Sequence, residues 1–323
     1  MSDREVSSAM IVEPLSATPR RGVEWPTWCL IALIHGGWLG LTLLFNRLPL
    51  WIAGPAAAWL SAWHSSLQHE LTHGHPTGNR RVDGWLGFPP LNLWLPFERY
   101  RDLHLAHHRE ESDLTDPVRD VESYYVTESA WRDSGPLARF ATRIRNTLAG
   151  RVLLNPLWMI PEFLFLEGRA VLRGEPGARR VWALHALGTA AVLYWALAVC
   201  KVPLWAYLLF FVYAGTALSS IRSFAEHRAA AQPEHRTAVV ERAPVFGLLF
   251  LFNNLHVVHH RAPGLAWYRI PAFYRENRAA LLASNGNLVY RGYAEVARRY
   301  LFREHDTPIN GWMPNVISQR GIE

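Results

Sequence analysis

The sequence writes His-x-x-His-His twice, as "HLAHH" at residues 104–108 and as "HVVHH" at residues 256–260. On a helix, positions i, i+3 and i+4 share one face. Neutral imidazole is a common nitrogen ligand for iron, zinc and copper. Each pentad therefore reads as a three-pronged metal claw, one made of His104, His107 and His108, the other of His256, His259 and His260. A further pair, His69 and His73 in "HELTHGH", stands at i and i+4 on another helical face, and His227 sits alone in "RSFAEHR". Nine imidazoles are too many for one ion, since zinc takes four ligands and an octahedral ion about six. Two ions with four or five nitrogens each use all nine. A nitrogen-ligated pair with open positions, at a membrane face, suits iron and O2 chemistry on a substrate that the membrane dissolves.

A metal-bound imidazole needs an acceptor for its other nitrogen. Glu70, Asp102, Asp113, Asp116 and Glu226 are the carboxylates placed for that duty, with Arg222 and Asn254 as further support. Asn253 and Asn254 precede the last pentad, and an amide there either holds a ligand or caps a helix. His69, Glu70 and His73 also spell His-Glu-x-x-His, the zinc protease helix, in which the glutamate is the general base. That motif is short and accounts for neither pentad. His75 points to a different face from His73 and reads as a supporting residue. His35, His64 and His185 fall inside apolar stretches and are left out of the metal set. His235 and His305 read as surface residues. Trp59, Trp63, Trp195 and Tyr213 read as packing or lipid-facing residues, with a substrate channel as the alternative.

The elements that position these histidines belong to a membrane protein. Half of the residues are hydrophobic, 15 are Trp and only 19% are charged. The net charge of +6 is carried by arginine, Lys201 being the single lysine. The arginines flank apolar runs instead of forming clusters on a polar domain, which argues against nucleic-acid binding and for a basic cytoplasmic face. The two cysteines, Cys29 and Cys200, both lie in apolar runs, so neither a disulfide framework nor a cysteine-based metal site is expected. Residues 1–24 read as a flexible tail without the pattern of a cleaved signal.

A bilayer-spanning helix needs about 20 mostly apolar residues. Residues 27–45, 49–68, 181–200 and 203–221 qualify, giving four spans in two tight hairpins. The apolar stretches 85–97, 153–166 and 245–255 are too short to span and read as interfacial or re-entrant segments. The polar block 109–150 and the tail from about 275 should form a cap. Arg47 and Lys201 are the charges of the two short loops, whereas many arginines lie on the opposite side, which places both termini and the central region in the cytoplasm. All nine histidines fall on that side. The expected fold is thus an all-α integral membrane protein with four transmembrane helices in two hairpins, interfacial helices and a cytoplasmic histidine-rich cap. Residues 25–275 form the catalytic domain and 276–323 a cytoplasmic C-terminal segment. A metal transporter would carry polar ligands near the bilayer midplane, and these spans are nearly free of carboxylates.

The order His-x-x-x-His, His-x-x-His-His, a lone Glu-His and a second His-x-x-His-His resembles the membrane fatty acid desaturase superfamily. The likeness covers roughly residues 27–275, and "HELTHGH", "HHREESDLTDP" and "HHRAPGLAWYRIP" read like its bacterial acyl-chain members. The resemblance implies a four-span fold, a non-haem centre of two Fe ions with O2 as co-substrate, and a bacterial inner membrane. It maps the ligands to His69, His73, His104, His107, His108, His227, His256, His259 and His260. It implies a lipid or fatty acyl substrate and, since no His-Pro-Gly-Gly cytochrome signature occurs, a separate ferredoxin- or rubredoxin-like electron donor with its reductase. Introduction of a C=C double bond is the favoured reaction. Hydroxylation, ketolation or olefin-forming decarboxylation on the same scaffold are the alternatives.

Overall fold

A computed structural model describes residues 22–312. The expected tail thus lies outside the described residues up to residue 21. Four long helices form the body. The first, Trp25–Leu44, starts with Pro26 in its first turn and runs into a short 3-10 turn, Phe45–Arg47. The second is Leu50–Thr72. The third, Ala178–Val199, and the fourth, Leu204–Glu226, each contain a π-helical stretch. Among the described residues three helices are long and apolar enough to cross a membrane: Trp25–Arg47, Ala178–Val199 and Leu204–Glu226.

Helix Leu50–Thr72 departs from the expectation of four such spans. It has the length, at 23 residues, but its second half carries Ser61, His64, Ser66, Gln68, His69 and Glu70, all buried. The helix is enclosed by its neighbours, where several of these polar groups find hydrogen-bond partners, although neither ring nitrogen of His64 has one. Gln68 donates to the Gly87 carbonyl at 2.8 Å and Thr72 to the Gln68 carbonyl at 2.9 Å. The three other long helices turn large apolar side chains outward, among them Leu33, Leu43, Leu187, Tyr194, Leu208 and Leu209. Such a belt suits lipid.

Close approach of the second and fourth helices is set by small residues. A Cβ on Gly54 would lie 2.6 Å from the Phe210 ring, and one on Gly215 would lie 2.6 Å from Ser61 Cβ and Oγ. Tyr207 fastens the bundle from its centre, accepting from Trp38 Nε1 at 3.2 Å and donating to the Leu91 carbonyl at 2.9 Å. The two hairpin turns lie side by side, since Asn46 Nδ2 donates to the carbonyls of Cys200 and Lys201 at 3.1 and 3.0 Å.

Most of the remaining segments gather at the opposite end of the bundle, although Leu91 of the stretch 85–97 reaches in among Ala196, Val202 and Tyr207. The stretch 85–97 forms the end of helix Arg80–Gly87, a Pro-Pro turn and the start of helix Phe97–His107. Residues 153–166 belong to a 19-residue helix, Asn155–Arg173, with Leu157, Trp158, Phe165 and Leu172 exposed. In 245–255 a short helix, Pro244–Leu249, is followed by a chain reversal with Leu251 and Phe252 both left-handed, at φ of 50° and 60°. Non-glycine residues seldom adopt that conformation, and here it delivers Asn253 and the last pentad into the interior. The all-α expectation needs a small correction. Strands β1, Val239–Val240, and β2, Val289–Tyr290, pair in parallel. The segment beyond residue 275 packs into the same core as the helices, with Tyr293 and Val296 against Phe224, Leu249 and Phe250.

Candidate metal centre

All nine singled-out histidines lie where a helix ends. His69 and His73 close helix Leu50–Thr72, His73 being its C-cap. His104 and His107 form the last turn of helix Phe97–His107, capped by His108. His227 caps helix Leu204–Glu226 in extended conformation and bridges to Thr237. His256, His259 and His260 lie on helix His256–Arg261.

The structure brings eight of them into two groups of four. One is His69, His73, His104 and His259; the other is His107, His227, His256 and His260. In each group one nitrogen from every ring lies within 4.8 Å of the others. Metal–nitrogen bonds of about 2.1 Å put opposite ligands about 4.2 Å apart, so each spread is close to what one ion spans. His108 stands between the groups. Its ring centroid is 4.6 Å from those of His104 and His259 and 4.5 Å from that of His260, and its Nε2 is 2.8 Å from His259 Nε2. The three-pronged claws are therefore not formed. Each pentad straddles both groups, because its members are handed to opposite sides.

The outer nitrogens explain why a cation fits. His107 Nδ1 faces Asp120 Oδ1 at 2.7 Å, His227 Nδ1 faces the Arg236 carbonyl at 3.3 Å, and His256 Nδ1 faces Asn253 Oδ1 at 3.1 Å. These oxygens accept, so each ring carries its proton on Nδ1 and turns a bare Nε2 lone pair inward. His256 Nε2 and His227 Nε2 then meet at 2.9 Å, and His107 Nε2 is buried with no hydrogen-bond partner. Converging lone pairs repel unless a cation lies among them. The other group repeats the device at His104, whose Nδ1 faces Glu122 Oε1 at 2.9 Å while its Nε2 is 3.1 Å from His73 Nε2. The donor set, all imidazole nitrogen backed by carboxylate, carbonyl and amide oxygens, fits iron, zinc or copper.

Electrostatics follow from burial. Removal from water, reinforced by His107 for His227 and by His256 for His260, depresses both; His227 falls to about 3. Burial also holds His256 and His259 well below the ordinary range. His107 is the exception. Burial pushes it down, yet Glu122 and then Asp120 outweigh this and lift it to about 9. The two carboxylates thus favour a positive charge at His107, whereas burial keeps the neighbouring rings neutral, the form in which imidazole ligates a metal,.

The supporting residues singled out in the sequence divide. Glu226 takes up a central place, its Oε1 3.1 Å from both Arg222 Nε and Asn253 Nδ2 and 3.3 Å from His256 Nδ1. Arg222 acts through it. Asn254, by contrast, donates to the Val240 carbonyl at 2.6 Å, and its neighbour Asn253 is the amide that meets His256. Glu70 accepts from the Trp267 backbone N–H at 2.9 Å. Asp102 is half-exposed beside Arg80 and Arg101, and Asp113 pairs with Arg119. Asp116 accepts from the backbone of Val118 and Arg119 in a turn. Sequence reasoning missed Asp120, Glu122 and the Arg236 carbonyl. Only the carboxylates left a signal, in "RDVESYY", and nothing in that stretch marks it as folding back onto a helix. His75 pairs with Glu24 at 2.9 Å, away from both groups.

A cavity of about 350 Å³ opens beside the second group. His227, Asp120, Glu122 and Glu226 line one part, Trp94, Tyr100, Leu103, Met159, Phe163 and Phe224 supply apolar surface, and Arg145, Asn146, Arg151 and Asp306 line a further polar part. A smaller space of about 130 Å³ shares Trp94, Leu95, Tyr100 and Met159 with it and continues to Asn92 and Thr216 between the helices. The channel-lining alternative for Trp59, Trp63, Trp195 and Tyr213 does not hold for these cavities. Trp63, Trp195 and Tyr213 bind the Leu248 carbonyl, Thr42 Oγ1 and the Leu153 carbonyl instead. His305, expected at the surface, lines the larger cavity and meets the Tyr290 hydroxyl at 2.9 Å.

No curated protein matches the chain. The model of the fatty acid desaturase family matches residues 45–292, which include all nine histidines. With three helices apolar enough for a bilayer and two imidazole groups that could hold metal, the chain belongs to the fatty acid desaturase family and is a desaturase-like membrane oxidoreductase.

Proposed function

We propose that the protein is an O2-dependent non-haem di-iron enzyme that introduces a C=C double bond into a long fatty acyl chain. The observation that carries this reading is the pair of four-imidazole groups whose bare nitrogens converge next to an aromatic-lined cavity. Two Fe ions bound there, reduced by a separate ferredoxin- or rubredoxin-like donor with its reductase, would supply the O2-driven removal of hydrogen from an unactivated C–H bond.

The chain's own residues prepare the place for that chemistry. The proposed ligands are the eight grouped histidines, with His108 shared between the groups. Asp120, Asn253 and the Arg236 carbonyl keep the ring protons turned outward. Trp94, Tyr100, Met159 and Phe163 give an alkyl chain apolar contact and exclude water beside His227,. In this reading Leu50–Thr72 is the fourth span, and the site and both termini face the cytoplasm of a bacterial inner membrane.

Expression in a host of defined lipids, with mass spectrometry of the lipid extract and iron analysis of the purified protein, tests the reading. New unsaturated chains and two Fe per chain are expected. Hydroxylated, ketonic or chain-shortened olefinic products would reassign the reaction while keeping the centre. One zinc and no iron would overturn it.

A further inference from the structure

The larger cavity contains a charge that the proposed centre does not use. Arg151, on the short helix Leu148–Leu153, is 3% exposed. Its Nε donates to the Arg145 carbonyl at 3.1 Å, and its Cζ lies 3.3 Å from the Tyr124 ring centroid. The guanidinium is thereby held in one orientation. Its Nη1 is buried and has no hydrogen-bond partner. No carboxylate among the described residues lies within ion-pair distance of it. Two other arginines, the buried Arg236 and the partly buried Arg222, behave differently. Arg236 spends its N–H groups on the carbonyls of Ala230, Ser112 and Leu114, and Arg222 pairs with Glu226.

Arginine keeps its proton, and an unpaired buried charge is costly. A guanidinium fixed with a free N–H edge matches the two oxygens of a carboxylate. Arg151 also borders the same cavity as His227, Trp94 and Phe163. We propose that Arg151 binds the carboxylate of an unesterified fatty acid whose alkyl chain occupies this cavity. The proposal rests on the fatty acyl reading above and narrows it to the free acid. An ester or thioester carbonyl is neutral and would leave the guanidinium uncompensated. Arg145 lines the cavity too, but so do the carboxylates of Asp120, Glu122, Glu226 and Asp306, which oppose the second charge of a phosphate dianion,.

Retention of radiolabelled dodecanoate, methyl dodecanoate and dodecyl phosphate by the detergent-solubilised holoprotein at pH 8 tests the assignment without turnover. The wild type is expected to bind the acid about 10–100-fold more tightly than its methyl ester, the range of a hydrogen bond to a charged group. Arg151→Met should abolish that preference and leave ester binding unchanged, whereas Arg151→Lys should restore part of it. Equal binding of acid and ester by the wild type overturns the proposal, as does equal weakening of both by Arg151→Met or tighter binding of dodecyl phosphate. If Arg151→Met fails to fold, the wild-type comparison and Arg151→Lys still decide. Failure of the di-iron reading is separately visible, as iron-free protein or absence of an oxidised product.

Discussion

At the residue scale, the types and spacing of the nine histidines were legible, and their distribution was not. A helix turns about 100° per residue, so i+3 and i+4 fall on opposite flanks of i. On helix Phe97–His107 the i+3 member, His107, leaves His104 and joins His227 and His256. On helix His256–Arg261 the i+3 member, His259, leaves His256 and joins His69 and His73. Neither assignment is readable without knowing which helices face each other. The acceptors were hidden for the same reason, since Asp120 and Glu122 reach the rings only through a turn that places them 2.7 and 2.9 Å from His107 and His104. A graded series of variants tests these roles. His227→Ala is expected to abolish product and lower iron content while the protein still inserts in the membrane. Asp120→Asn keeps every nitrogen and should weaken metal retention or activity by about 10–100-fold. His235→Ala, eight residues from His227 and outside both groups, should behave as wild type. Wild-type iron and turnover in His227→Ala would shrink the ligand set to the other eight histidines.

At the element scale, apolar runs revealed the long helices, and their order along the chain gave the two hairpins. Helix Leu50–Thr72 was the least legible, because its polar half is explained by contacts no run of letters contains. The strand pair at 239–240 and 289–290 was invisible for a similar reason: two residues paired 50 positions apart leave no periodicity,. What holds the second helix against the fourth is small volume. Gly215 and Ser61 meet so closely that a methyl group at Gly215 would lie 2.6 Å from Ser61 Cβ. The same two helices deliver His69, His73 and His227 at their ends. Gly215→Ala is expected to destabilise the protein by about 1–3 kcal/mol, the usual cost of overpacking, seen as a lower melting temperature and earlier loss of metal. Ser61→Gly combined with Gly215→Ala removes the clash, since the next atom, the Ala58 carbonyl oxygen, is 3.6 Å away. Recovery of most of the melting temperature in the double variant is the expected result. Additive losses would place the tight contact elsewhere.

At the scale of the whole molecule, the fold separates two ends. The turns after Arg47 and before Pro203 share one end, joined through Asn46. The helix termini that bear histidines, the loops carrying Asp120 and Glu122, and the packed C-terminal segment share the other. This polarity requires the long helices to run the same distance in alternating directions, and it matches the distribution of charge. Lys201 and Arg47 are alone at the turns, whereas Arg99, Arg101, Arg109, Arg236 and Arg278 lie toward the histidine end in sequence. Cytoplasmic segments gather arginine and lysine, so the histidine end should face the cytoplasm, where a soluble reductant has access. Reporter fusions decide this. A reporter at residue 130, between the first histidine pentad and the third long helix, should read as cytoplasmic, and one at residue 202, in the second turn, as external. An external signal at residue 130 together with a cytoplasmic one at residue 202 would mean that helix Leu50–Thr72 does not cross, leaving the three more apolar helices as the spans. That result would break the four-span topology but not the two imidazole groups, whose convergence depends on packing alone.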